Sequence, residues 1–416
     1  MSKRIYGEAD LANVKRVLDA GQDGRGEGIV EELEAKFAER IGAKYALAVN
    51  AGMSGLHAAL AAAGVGPGAE VVVDPIVQFG GLAVMYNNGV PIFADIDPAT
   101  HNMDPQSLRQ RISDRTKAMV VTHLWGLPAE MQAIRAIADK HGLFVVEDCA
   151  HALFAQHRGR NVGLWGHMGM FSFQAAKHLS TGQGGMMVTN DEGLVKEMRA
   201  VCAFGAAPDR LAWVFRMAGV VAAVALAQLE HAQDYVAEDR DNAKLYQEAV
   251  AGCDWLQPQA EPAYDVHAHH CWAATFHGDK HGIDYEEFKR LCREEGAAVG
   301  FGYTQRSWKQ AQIVAAYQFP VFALPVAYGQ GCPTRCPLYG KELPYRQGYC
   351  PNAEDLIPRL CVTTLSTRLR DDVARELTFT GRIFEGEEAV RLGAATRVAA
   401  DPYAEALALA REIASK

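Results

Sequence analysis

The sequence lacks the features of a secreted, membrane-spanning or nucleic-acid-binding protein. It contains no block of basic residues, and 50 acidic against 41 basic side chains give a net charge of -9. This balance disfavours nucleic acids and anionic membranes as partners. Residues 1–14 lack the apolar core of a signal peptide, and the most apolar stretch, residues 217–229, is too short to cross a bilayer. The nine cysteines are scattered through apolar runs, so we expect reduced thiols in a cytoplasmic protein.

Short apolar runs alternate with amphipathic stretches along most of the chain. This alternation, with short loops between the segments, predicts an α/β protein with a mostly parallel, doubly wound sheet. The length of 416 residues favours two or three structural units. We expect a large domain with N-terminal helices in residues 1–250, a smaller α+β domain in residues 251–370 and an extra helical tail in residues 371–416.

The clearest chemical signal begins with an apolar run at residues 143–146. The run is short and rich in β-branched side chains, which predicts a buried strand, and it ends on Glu147 and Asp148. Ligands of open α/β sheets bind at the carboxyl ends of the strands. A second apolar run, residues 168–173, is followed by a single lysine, Lys177, and a glycine-rich loop. An acid and a lysine are therefore expected at the same edge of the sheet.

An acid and a lysine in this arrangement are what pyridoxal 5'-phosphate (PLP) chemistry requires. Lys177 would form a Schiff base with the cofactor aldehyde. Asp148 would keep the pyridine nitrogen protonated, so that the ring can act as an electron sink. The alternative is a buried strand followed by a surface lysine in a glycine-rich loop.

Two sequence segments resemble the signature of the DegT/StrS aminotransferases. They are EDCAHA at residues 147–152 and GHMGMFSFQAAKHLSTGQGGMMVTND at residues 166–191, and the resemblance extends over about residues 24–365. It implies a fold-type I PLP-dependent aminotransferase that is at least a homodimer. It also implies glutamate or glutamine as amino donor and a keto-sugar, keto-cyclitol or related carbonyl compound as acceptor.

A glycine-containing turn before a predicted helix is the candidate phosphate site. Backbone N–H groups and the helix dipole at such a turn receive anions. The turn resembles the SGTxALH segment of the family, which assigns phosphate contacts to Gly52, Met53 and Ser54, with Ser172 completing the cradle. Met53 stands where the family usually has threonine. The alternative is an ordinary helix N-cap by Asn50 or Ser54.

Other cofactor contacts follow from the resemblance. It places an aromatic ring, here Phe79, on the cofactor face, where stacking contributes on the order of 1 kcal/mol; the alternative is a core phenylalanine. His151 is expected to orient Asp148 or to touch the cofactor ring, and a structural role is the alternative. The turn after residue 122 would shape the pocket floor, with His123 as a structural histidine.

One position departs from the family pattern. Residues 212–230 and the charged stretch that follows are predicted to form long helices. In the family, an asparagine at the start of this segment reaches the phosphate in the neighbouring subunit, and Val214 stands there instead. Loss of such a charge-assisted hydrogen bond weakens binding by about 1.5–3 kcal/mol, unless Arg210 or Arg216 replaces it.

Three histidines in the predicted small domain raise the question of a metal site. The segment HHCWAATFHG predicts a strand, in which alternate residues face opposite sides. His267 and His269 would then share one face and His270 the other. No second pair of ligands follows at a suitable spacing, so we expect no metal.

The final residues resemble a different family. From about Val373 the sequence is similar to the C-terminal end of crotonases, but nothing upstream resembles the loops that form the crotonase oxyanion hole, without which that reaction loses its main stabilising interaction. We therefore expect two or three amphipathic helices without crotonase activity; CoA binding is the alternative.

Two other functions remain open from the sequence. Some relatives are sugar dehydratases in which the Schiff-base lysine is replaced, often by histidine; Lys177 argues against this, although His178 follows it. A non-catalytic PLP-fold regulatory or binding protein is the other alternative, which Val214 and the C-terminal tail favour.

Overall fold

The computed structural model describes most of the chain between residues 6 and 365. The described ranges are 6–21, 28–205, 211–294, 299–301, 314–323, 333, 336–343 and 345–365. The predicted tail at residues 371–416 lies outside the described residues.

The described residues form eleven α-helices and fourteen β-strands. The helices are α1 (Glu8–Asp19), α2 (Ile29–Ile41), α3 (Gly52–Ala62), α4 (Gln78–Tyr86), α5 (Pro105–Arg111), α6 (Met131–His141), α7 (Glu192–Cys202), α8 (Gly219–Ala249), α9 (Tyr285–Glu294), α10 (Pro320–Ala323) and α11 (Pro351–Leu356). The strands are β1 (Tyr45–Val49), β2 (Glu70–Val73), β3 (Val90–Phe93), β4 (Thr116–Thr122), β5 (Phe144–Asp148), β6 (Gln156–His157), β7 (Arg160–Asn161), β8 (Met168–Ser172), β9 (Gly185–Thr189), β10 (Leu256–Pro258), β11 (Asp265–Val266), β12 (Cys271–Phe276), β13 (Gly300–Phe301) and β14 (Leu360–Thr364). Within the described residues, none of the helices has the length and apolar character that a bilayer crossing needs.

A seven-stranded sheet with the order β1-β9-β8-β5-β4-β2-β3 organises the large part of the chain. Strands β8, β5, β4, β2 and β3 are neighbours in this order, and each adjacent pair is parallel. Strand β9 runs antiparallel to both β1 and β8. The sheet is therefore mostly parallel, which confirms the predicted fold class.

Both faces of this sheet are covered by helices. Neighbouring residues of β8 point to opposite faces, so Met170 packs in the core shared with α3 and Phe171 in the core shared with α2 and α8. A third core packs α5 and α6 against β4 and β5. Burial on both faces explains why the strands are continuous apolar runs rather than alternating ones. Thr122, Asp148 and Ser172 are the last residues of β4, β5 and β8, and they lie where the cavity described below opens.

The prediction of helix from residue 212 is wrong for its first turns, because α8 begins at Gly219. The preceding residues are extended and hydrogen-bonded to other segments. Phe215 N donates to Cys202 O at 3.1 Å, and Asn50 N donates to Phe215 O at 2.8 Å. These bonds tie the segment to the ends of α7 and β1. Single-sequence periodicity could not reveal such long-range pairing.

A second, four-stranded antiparallel sheet has the order β10-β12-β14-β13. Its outer face packs in a separate core with the C-terminal half of α8, where Trp272 stacks on Tyr246 and Phe276 belongs to the same core. Strand β12 begins only at Cys271. The predicted strand assignment is therefore wrong for residues 267–270, where His269 has a positive φ of 53°.

Candidate active site

A cavity of about 740 Å³ lies where the two sheets meet. One side is formed by the carboxyl ends of β4, β5 and β8 and by the first turn of α3. The other side is formed by residues of the four-stranded sheet, including Phe301, Val362 and Thr364. Its size and its mixed polar and apolar lining are those of a small-molecule site.

Asp148 is the last residue of β5 and lies in this cavity. Its side chain is buried, and Oδ1 accepts a hydrogen bond from Ala150 N at 3.0 Å. Burial raises the pKa of Asp148 above its ordinary value, while the bond from Ala150 and the charge of Lys177 act in the opposite direction. A positive charge placed beside a buried carboxyl stabilises its ionised form.

Lys177 reaches the same cavity from the loop that follows β8. The loop is closed by a hydrogen bond from Lys177 N to Gln174 O at 2.9 Å. Burial lowers the pKa of Lys177 to about 8, although the charge of Asp148 opposes the shift. A substantial fraction of the amine is therefore neutral near physiological pH, which is the state that attacks a carbonyl carbon.

The N-terminus of α3 opens into the cavity through Gly52 and Met53. Ala51 occupies the N-cap position, and in the described part of the chain no side chain caps this helix. The side chain of Asn50 instead donates to Val214 O at 3.0 Å. The first backbone N–H groups of α3 are thus available to an anion. Ser54 lies in the same turn but is not among the residues that line the cavity.

Gly52 and Ser172 form a narrow recess at this helix end. A Cβ atom on Gly52 would lie 3.2 Å from Ser172 Oγ and 3.0 Å from Met170 Sδ. A side chain at residue 52 would therefore crowd both residues. Its absence lets the first turn of α3 pack directly against the end of β8, so that the helix N–H groups and the Ser172 hydroxyl border the same part of the cavity. A hydroxyl group, the helix N–H groups and the helix dipole together favour a phosphate in this recess.

Aromatic rings cover the remaining cavity surface near Asp148. Phe79, at the start of α4, lines the cavity. The ring of His151 is parallel to that of His270 at 4.5 Å between centroids and to that of Trp125 at 6.1 Å. Burial lowers the pKa of His151 well below its usual range, so this imidazole is neutral. In the described part of the chain, His151 Nδ1 has no hydrogen-bond partner and no hydrogen bond connects His151 to Asp148.

Gly126 lies behind these rings, where the segments that follow β4 and β5 contact the segment that precedes β12. It has a φ of 108°, and a Cβ atom there would lie 2.8 Å from His151 O and 2.9 Å from His269 N. Its carbonyl oxygen accepts a hydrogen bond from Ala268 N at 2.9 Å. Glycine is required here because a side chain would separate three closely packed segments.

His123 and His267 belong to hydrogen-bond networks. His123 Nε2 lies 3.1 Å from Glu147 Oε2, and its Nδ1 accepts a bond from Ala129 N at 3.0 Å. His267 Nδ1 accepts from His269 N at 2.7 Å, and its Nε2 lies 3.2 Å from Gln259 Oε1. Both nitrogens of each ring are engaged, so neither ring offers a lone pair to a metal. The rings of His267 and His269 stack at 3.7 Å.

The sequence did not indicate the wall contributed by the four-stranded sheet. Cys271 on β12, Phe301 on β13, and Val362 and Thr364 on β14 line the cavity, but the three strands are distant in sequence from Lys177. Their strands pair so that Cys271 lies opposite Thr364. Only the alternation within β12 carried a signal, since Trp272 faces the separate core while Cys271 faces the cavity.

The cavity, its lysine and its buried aspartate, set on this sheet, define the class of the fold-type I aminotransferases. The DegT/DnrJ/EryC1/StrS aminotransferase family matches residues 4–328. The chain belongs to this family, whose members are PLP-dependent, and it is a transaminase.

Individual relatives agree with this assignment. The chain is 31% identical over 389 residues to the spore coat polysaccharide biosynthesis protein SpsC of Bacillus subtilis (strain 168), covering 88% of this chain and 92% of that protein. It is 37% identical over 228 residues to the GDP-perosamine synthase of Escherichia coli O157:H7, covering 53% of this chain and 63% of that protein. The crystal structure of an aminotransferase from Psychrobacter cryohalolentis is similar with a TM-score of 0.75 and 26% identity, over 90% of this chain and 96% of that one.

Proposed function

We propose that this transaminase transfers an amino group from glutamate or glutamine to a keto-sugar, a keto-cyclitol or a related carbonyl compound, with PLP bound at Lys177. The observation that carries the proposal is the single cavity that joins Lys177, Asp148 and the uncapped N-terminus of α3. Similarity to a spore coat polysaccharide biosynthesis protein and to a GDP-perosamine synthase supports a sugar-like acceptor.

The residues of the cavity fit PLP. The phosphate would occupy the part of the cavity bordered by Gly52 and Ser172, where the backbone N–H groups of the first turn of α3, including those of Met53 and Ser54, supply positive dipoles. Asp148 would accept a hydrogen bond from the pyridine nitrogen. Phe79 and His151 would contact the ring, and the unpartnered Nδ1 of His151 suits a polar ring substituent. Bound PLP supplies the electron sink for a carbanion at the substrate carbon.

Two side chains, those of Lys177 and Asp148, would transfer or hold the protons of the reaction. The free amine at Nζ of Lys177 would take a proton from the α-carbon of the donor, for which a pKa of about 8 is well matched. The same amine would later give this proton back, so Lys177 would act as both base and acid. Asp148 would stay anionic and would hold a proton on the pyridine nitrogen. Donor and acceptor use one site in turn, so we expect ping-pong kinetics.

Spectroscopy of the purified protein tests this function. The protein should carry the visible absorption band of PLP, and the band should bleach when glutamate or glutamine is added. Addition of keto-sugars or keto-cyclitols one at a time should restore the band only with a true acceptor. A protein that never takes up PLP, or whose band is unaffected by any amino acid, would contradict the proposal.

Gly52→Ala should weaken PLP binding by about tenfold or more. The new methyl group would lie 3.0 Å from Met170 Sδ and 3.2 Å from Ser172 Oγ, so it would displace the first turn of α3 from the phosphate, and a lost charge-assisted hydrogen bond costs about 1.5–3 kcal/mol. PLP titration of the cofactor-free protein measures this effect. Gly66→Ala is the matched control, since a Cβ atom at Gly66 would meet nothing within 4 Å. Equal affinities of the two variants would contradict the assignment of the recess.

We also propose a homodimer. The segment between α7 and α8 exposes apolar side chains, with Phe204 71%, Leu211 82% and Val214 62% exposed. Val214 takes the place of the family asparagine that reaches the neighbouring subunit, so this segment would lie at the interface. Burial of apolar side chains of this size contributes about 1.5–3 kcal/mol each.

Sedimentation equilibrium should give twice the mass of the chain. Leu211→Asp and Val214→Asp should shift the protein toward monomer and lower its affinity for PLP. Leu18→Asp is the control, because Leu18 is similarly exposed, at 66%, on α1. A fully active wild-type monomer would refute the dimer.

A further inference from the structure

Asp74 is a buried carboxyl next to the cavity that the chemistry above does not use. It follows β2 and is 1% exposed. Its Oδ1 accepts hydrogen bonds from Ile76 N at 3.0 Å and Val77 N at 2.8 Å. Its Oδ2 accepts a bond from Thr122 Oγ1 at 2.6 Å. Both carboxylate oxygens are thus used to fix neighbouring groups.

The groups that Asp74 fixes lie on two different sides of the cavity. Thr122 is the last residue of β4, lines the cavity and pairs directly with Asp148 on β5. Val77 lines the cavity at the end of the turn that leads into α4, where Phe79 also lines it. One carboxylate therefore links the strand end beside Asp148 to the turn that carries Phe79.

We propose that Asp74 is a positioning residue for amino transfer, which fixes Thr122 beside Asp148 and the turn before Phe79, and which adds a second negative charge behind Asp148. This inference rests on the function proposed above. Asp74 itself does not line the cavity; it acts through Thr122, through the turn and through its charge.

The negative charge of Asp74 should raise the pKa of cationic groups in the cavity. Burial raises the pKa of Asp74 to about 6, and the charge of Asp148 adds to the shift. Above this pH, Asp74 is mostly ionised. The titratable groups that face this region are Asp148 on β5, His123 after β4 and Lys177 after β8. A second carboxylate favours positive charge in the cavity, so its removal should lower the pKa of cationic groups there.

The first test is Asp74→Asn, which keeps the shape and an acceptor for the turn amides but removes the charge. We expect the kcat to fall by about tenfold, which corresponds to about one pKa unit of lost electrostatic interaction, with KM within about twofold of the wild type. PLP should remain bound. The pH midpoint of its visible absorption band should move to lower pH by about half a unit or more.

Asp95→Asn is the matched control. Asp95 is also a buried aspartate that follows a strand, and it accepts bonds from the backbone N–H groups of Ile96, Asn352 and Ala353. It does not line the cavity and does not contact Thr122. A merely structural role of Asp74 would change melting temperature alone, as we expect for Asp95→Asn. Equal changes of kcat and pH midpoint in the two variants would overturn the inference.

Thr122 provides a second pair of variants that does not depend on the folding of Asp74→Asn. Thr122→Val removes the hydroxyl at constant shape and should lower kcat, whereas Thr122→Ser should restore most of it. Wild-type kcat in Thr122→Val, or in Asp74→Asn with an unshifted band, overturns the positioning role. A wild-type protein without a PLP band would instead refute the proposed function, so the two failures are distinguishable.

Discussion

Replacement of Lys177 by alanine is expected to abolish amino transfer, with a loss of at least about a thousandfold in kcat, while the fold is retained. Lys177 is the one lysine among the described residues that line the cavity, and its loop is closed by a backbone bond to Gln174 that does not involve the side chain. Removal of the amine takes away both the proposed covalent attachment point and the proposed proton carrier.

Borohydride reduction provides a direct measurement of the attachment point. It should fix PLP to the wild-type chain but not to Lys177→Ala, while melting temperatures without cofactor should be similar. Lys140→Ala, at an exposed position of α6, is the control and should behave as the wild type. Covalent fixation of PLP in Lys177→Ala, or turnover at the wild-type rate, would show that another amine is used.

The pKa of Lys177 also sets a pH dependence. Its pKa of about 8 lies below the ordinary lysine value of 10.5, so the neutral fraction increases by about tenfold per pH unit below pH 8 and levels off above it. The rate at which the cofactor-free protein attaches PLP should therefore rise with pH up to about 8 and then become constant. A rate that rises until about pH 10 would mean that burial does not lower this pKa.

Asp148→Asn is expected to lower kcat on the order of a hundredfold or more, while the protein still binds PLP. The neutral amide cannot hold a proton on the ring nitrogen, so the electron sink weakens although the side chain keeps its size. The hydrogen bond from Ala150 N can be retained by the amide oxygen, and we expect little change in melting temperature.

The comparison of kcat with bound PLP separates the role of Asp148 from structural damage. Bound PLP, measured after alkaline release, should remain near one equivalent per chain, whereas kcat falls. Asp95→Asn again serves as the control for removal of a buried carboxylate. Undiminished kcat in Asp148→Asn would exclude the proposed role, and loss of PLP together with kcat would assign Asp148 to binding instead.

The part of the site on the seven-stranded sheet could be predicted from sequence because it follows strand ends. Asp148 ends one short strand and Lys177 lies in the loop after the neighbouring strand, and parallel pairing brings these two strand ends together. The orientation within the first turn of α3 was less predictable. Successive residues of a helix point about 100° apart, so Gly52 and Met53 reach the cavity while Ser54 does not line it.

Features that depend on distant pairing were not predictable. The extended segment before Gly219 follows from backbone bonds to Cys202 and Asn50, and helical periodicity cannot indicate them. The cavity wall from Phe301 and Val362 depends on the register of β13 and β14. A boundary between two domains near residue 250 stays a prediction.

The two sheets around the cavity differ in how freely their residues can change during evolution. Lys177, Asp148 and the recess at Gly52 are held by the seven-stranded sheet, whereas Phe301, Val362 and Thr364 belong to the smaller sheet, which is backed by a separate core. Substitutions in the smaller sheet can reshape one wall of the cavity while the residues proposed to bind the cofactor keep their positions. Selection for new acceptors, in nature or in the laboratory, should therefore accumulate changes in β13 and β14.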